Sequence, residues 1–99
     1  MSLDAFRTSF EATEPPVDLT APLASLWWAA QGPAGWERAH ALVQDEAGAD
    51  AAWVHAHLHR VEGDRANAAY WYDRAGRTAA AGDLAAERDA IATALLARR

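Results

Sequence analysis

The sequence predicts an all-α domain of about six short helices, and three observations carry that expectation. Alanine, the strongest intrinsic helix former, makes up more than a quarter of the 99 residues. The β-branched residues that favour strands are scarce. Apolar side chains recur at intervals of three and four between Gly and Pro breaks, the spacing of one helix face. The length suits a single domain over 1–99, with helix pairs at 20–46 and 50–76 and flanking helices at 2–13 and 83–97.

The first flanking helix follows from Leu3, Phe6 and Phe10 behind Ser2, a good N-cap, and it ends at Pro15-Pro16. Thr20 is positioned to cap the second, with Pro22 in its first turn and Leu23, Leu26, Trp27 and Ala30 along one stripe up to Gly32-Pro33. A third runs from about Gly35 to about Glu46 through Trp36, Ala39, Leu42 and Val43. Asp50 is the expected N-cap of the fourth, Ala51 to Glu62. Gly63-Asp64 then serves as C′ glycine and N-cap in succession, opening a fifth helix from Arg65 to Ala75 that Gly76 terminates. The sixth begins after Gly82-Asp83 and carries Leu84, Ile91, Leu95 and Leu96.

Composition narrows the function classes. Hydrophobic residues at 52% exceed what a disordered chain carries, and 23% charged residues match a solvated surface. A net charge of −5 argues against a nucleic-acid partner, whose phosphates need Lys and Arg. Every basic residue is Arg, which we read as the coding bias of a GC-rich bacterial genome. There is no cysteine, hence no thiolate nucleophile or thiolate metal ligand. Asp4, Arg7 and Glu11 stand where a secretory peptide needs an apolar run, and no stretch approaches the ~20 apolar residues of a membrane span. The expectation is a cytoplasmic protein with no membrane partner.

The segment Gly63-Asp64-x-x-x-Ala68-x-x-x-Tyr72-x-x-Ala75 resembles the second helix of a tetratricopeptide repeat, and Ala39 and Val43 occupy the same frame 29 residues earlier. The resemblance implies two antiparallel helix pairs in which small residues at Ala39 and Ala68 allow close approach. It also implies a concave surface that holds a peptide or protein. His55 and His59 stand where that family has a Leu-like and an aromatic residue. A second resemblance spans Trp53-Val54-His55-Ala56-His57-Leu58-His59-Arg60-Val61-Glu62-Gly63-Asp64 and Asn67 to Gly76, with Gly35 to His40 and Pro15 to Trp27. This looks like a group of short bacterial proteins with no assigned activity, and it implies no chemistry.

Two constellations stand out. On a helix, His55, His59 and Glu62 project from one face, the ligand types of a divalent-metal site with two imidazoles and a carboxylate. The competing expectation is structural, with His55 and His59 hydrogen-bonded to buried backbone or to Tyr70 or Tyr72. His57 faces away from them, and His40 joins only if the fold brings it close. The aromatic residues Trp28, Trp53, Tyr70 and Trp71, with Arg74, are the candidate partner-binding surface, since Tyr70-Trp71-Tyr72 spans too much of a helix circumference to be wholly buried. The acidic residues have no spacing that separates them from caps, and the serines at 2, 9 and 25 lack the context of a nucleophile. The leading expectation is a protein-interaction module that binds a partner protein or itself. The alternative is a small metal- or ligand-binding protein, extending to an enzyme, centred on the His/Glu cluster.

Overall fold

The computed structural model describes residues 1–98 and is all-helical. The chain runs through α1 (Leu3–Thr8), a 3-10 turn (Ser9–Glu11), α2 (Ala21–Ala29) and a second 3-10 turn (Pro33–Gly35). It continues through α3 (Trp36–Val43), α4 (Ala49–Glu62), α5 (Arg65–Ala75) and α6 (Leu84–Ala97). Arg99, the last residue of the expected domain, lies outside the described residues. Among the described residues, no helix is long and apolar enough to cross a membrane.

Local chemistry sets most boundaries. Ser2 caps α1 by accepting from the Ala5 amide at 3.0 Å, and Asp64 and Asp83 cap α5 and α6 in the same way from Asn67 and Ala86. Gly63 closes α4 in the left-handed conformation at φ 88°, which an L side chain adopts only at a cost. Three boundaries differ from expectation. Asp50 is not the cap of α4: Gly48 is the N-cap, α4 begins at Ala49, and the Asp50 carboxylate lies in the first turn, paired with Arg98. A carboxylate near a helix N-terminus is favourable without being the cap. The α1 segment tightens into a 3-10 turn after Thr8, and α3 ends at Val43 instead of about Glu46.

Helix α4 lies at the centre of the fold, packed on α5, α3, α6 and α2, while α2 also packs extensively on α3. The main core joins Phe6 of α1, Leu23, Leu26 and Trp27 of α2, Val43 of α3, Val54 and Leu58 of α4, and Ile91 and Leu95 of α6. Close approach of α2 and α3 depends on small side chains. The buried Ser25 hydroxyl donates to the Ala39 carbonyl at 2.7 Å, and a Cβ on Gly35 would meet the Trp28 carbonyl oxygen at 2.0 Å. A second, smaller core of Ala56, Ala68 and Tyr72 lies between α4 and α5. Ala68 is buried there, so Ala68→Leu overpacks the contact and lowers stability by about 1 to 3 kcal/mol, read as a lower urea midpoint. An unchanged midpoint would mean that α4 and α5 do not meet at Ala68.

Candidate functional site

Because α4 is enclosed on several sides, three of its histidines, His55, His57 and His59, are buried. Residues two apart on a helix point to nearly opposite sides, whereas residues four apart share a face. The three therefore divide between two polar clusters, one on each flank of α4.

On the first flank, α3 delivers His40 against His55 and His59. The Nε2 atoms of His40 and His55 are 2.9 Å apart. The His55 and His59 rings stack nearly parallel with centroids 4.9 Å apart, and His40 meets both edge-on at 4.6 and 5.3 Å. Each of the three offers one ligand nitrogen, and these atoms lie within 4.8 Å of one another. Glu62, one turn beyond His59, takes the His59 Nδ1–H at 2.6 Å. Two indoles wall the cluster. Trp36 stacks on His40 at 4.9 Å while its Nε1–H donates to the Leu58 carbonyl at 2.8 Å, and Trp71 stacks on His55 at 3.9 Å.

Burial, then the neighbouring His40 and His59, lower the His55 pKa to about 4. Burial and His59 lower that of His40, opposed by Glu62. Both are therefore neutral at neutral pH, with lone pairs in place of charge.

The expected structural role of these histidines is corrected in one respect. Neither Tyr72 nor Tyr70 bonds to them. Tyr72 points across α4 to Glu87 of α6, and Tyr70 is 53% exposed beside Arg74. His55, only 3% exposed, keeps a buried Nδ1 with no hydrogen-bond partner.

On the opposite flank, Glu87 accepts from His57 Nδ1 at 2.7 Å and from Arg60 at 3.1 Å through Oε1, and from the Tyr72 hydroxyl through Oε2. Arg60 also donates to the Gly82 carbonyl, tying down the segment before α6. Burial raises the Glu87 pKa, but the bonds from His57, Tyr72 and Arg60 outweigh it and hold the carboxyl below its ordinary range. Burial and the Glu87 carboxylate push the Tyr72 hydroxyl up, keeping it a donor. This network joins α4, α5 and α6. Glu87 lies 30 residues from His57, so helical spacing gave no sign of the pairing.

The candidate partner-binding residues separate into different settings. Trp28 packs on the main core under the Arg38 guanidinium, 4.5 Å from the ring centroid, and Trp53 lies under Arg77 at 3.7 Å. Tyr70, Trp71 and Arg74 form one group on α5. Their two rings meet edge-on at 5.2 Å, and Arg74 lies 5.7 and 5.5 Å from the centroids while donating to the Tyr70 hydroxyl at 3.3 Å. Among the described residues, no carboxylate pairs with Arg38, Arg74 or Arg77.

No protein-family model, no curated protein and no solved structure matches the chain.

Proposed function

We propose that the protein is a small binding module that recognises an acidic segment of a partner protein through the Tyr70–Trp71–Arg74 face of α5. The observation that carries this reading is the Arg74 guanidinium, held over two aromatic rings with no carboxylate partner among the described residues. A guanidinium so placed is ordered in advance and keeps donors free for a planar, bidentate carboxylate contact. Tyr, Trp and Arg are also the residues that most often dominate binding energy at protein interfaces. The chain has a net charge of −5, and the cation that suits this face to an acidic partner is Arg74 itself, in the last turn of α5. In this reading the helix pairs α2/α3 and α4/α5 serve as a shortened scaffold of tetratricopeptide type.

The test is a titration of the chain with fluorescently labelled peptides rich in Asp and Glu, against peptides in which these are Gln and Asn. The acidic peptides bind, binding weakens as salt is raised, and Arg74→Ala weakens it by at least roughly tenfold, about 1.4 kcal/mol. Equal binding of both peptide classes, or no response to Arg74→Ala, contradicts the reading. A concentration-dependent molar mass by light scattering that Tyr70→Ala abolishes would instead make a second copy of the chain the occupant.

A further inference from the structure

We propose that His40, His55 and His59 bind one zinc ion, with Glu62 as the carboxylate that holds His59 in position. The cluster adjoins the α5 face through Trp71, which stacks on His55, and needs no acidic partner there. It begins from the donor set: three imidazoles, no thiolate, and ligand nitrogens within 4.8 Å of one another. Imidazole suits zinc and its first-row neighbours, and sites with three protein ligands leave a fourth position to water. At a zinc–nitrogen bond of about 2.0 to 2.1 Å, two tetrahedral ligands are about 3.3 Å apart. The His40 and His55 Nε2 atoms already approach to 2.9 Å.

The ligands come from two elements. An i, i+4 pair on α4 is met edge-on by a ring from α3, so the nitrogens converge from different directions instead of lying along one helix. Glu62 completes the pattern. By taking the Nδ1–H of His59 at 2.6 Å, it fixes the tautomer that leaves Nε2 bare, the arrangement in which a metal-bound imidazole is oriented by an outer carboxylate.

Hydrogen bonding alone does not account for the cluster. Two neutral imidazoles meeting through their Nε2 atoms share one hydrogen. If His55 supplies it, its Nδ1 is a lone pair without a donor; if His40 supplies it, the His55 Nδ1–H lacks an acceptor. The nitrogen is buried and unpartnered in either case. A histidine buried for structural reasons normally has both nitrogens satisfied. Trp36 and Trp71 stack on the outer faces of the cluster, shielding bound metal from competing ligands.

The experiment uses the full chain without a polyhistidine tag. It is titrated with cobalt(II), then zinc(II), in competition with a chromophoric chelator. One equivalent of cobalt binds with a visible absorption band, and zinc displaces it. His40→Ala and His59→Ala each weaken uptake by at least roughly tenfold, and Glu62→Gln keeps the stoichiometry but weakens affinity about 10- to 100-fold. Circular dichroism establishes that each variant is folded. Should His59→Ala unfold the chain, His40→Ala carries the test, because His40 is only half-buried at the edge of the cluster. Uptake of less than one equivalent by the wild-type chain, or the same affinity in wild-type and His40→Ala protein, overturns the proposal.

Discussion

Glu87→Ala lowers the stability of the folded chain by about 3 to 5 kcal/mol, the cost of leaving buried charged and polar partners uncompensated. The Glu87 carboxylate is 9% exposed and receives bonds from His57, Arg60 and Tyr72. Removing it leaves three donors from α4 and α5 facing a void. Glu87→Gln retains the shape and an acceptor oxygen, so its cost is smaller, about 1 to 3 kcal/mol. Urea midpoints of both variants measure the effect.

The acid limb of stability carries the same signature. Because the folded-state carboxyl is held below its ordinary pKa of 4.5, its contribution is complete above that value. It is lost as pH falls through the lower folded-state pKa. The wild-type midpoint therefore declines in that acid range, and in Glu87→Gln the decline is shallower. Parallel acid limbs in the two proteins would show that Glu87 does not carry the linkage.

Trp27→Ala lowers stability by a comparable amount, about 3 to 5 kcal/mol. Trp27 is fully buried in the main core, and its Nε1–H donates to the Ser9 hydroxyl at 3.1 Å and to the Ser9 carbonyl at 3.3 Å. The indole thus both fills the core and ties down the turn that follows α1. Trp27→Phe retains most of the apolar area but loses both hydrogen bonds to Ser9, so it lies between wild type and Trp27→Ala. A midpoint for Trp27→Ala within about 1 kcal/mol of wild type would place this side chain outside the core.

Much of the fold was legible because its punctuation is local. The bounds of α5 and the caps at Ser2, Asp64 and Asp83 follow from residue types whose preferences act within one turn. Asp50 misled because a carboxylate is favourable both as a cap and in the first turn. The ranges of α1 and α3 failed at their C-terminal ends, where tightening and fraying are not encoded by a Gly or Pro at the stop.

The candidate site was legible only in part. The shared face of His55, His59 and Glu62 follows from helical spacing alone. Their convergence with His40 depends on how α3 packs on α4, and the Glu87 network depends on α6 packing on the other flank. Along α4, Ala51, Val54 and Leu58 mark one apolar stripe, but His55, His57 and His59 beside it gave no sign that the helix is covered on its other flanks as well. Tyr72 faces inward, and its partner Glu87 is set by long-range packing that spacing on α5 does not encode.

The most direct test of the account is the metal content of the purified, untagged chain by mass spectrometry, paired with its melting curve with and without chelator. The account predicts one equivalent of zinc and a melting temperature that falls when the chelator is added, since metal bound only to the folded state stabilises it. Metal-free protein that takes up no zinc on reconstitution, with a melt indifferent to chelator, would contradict it.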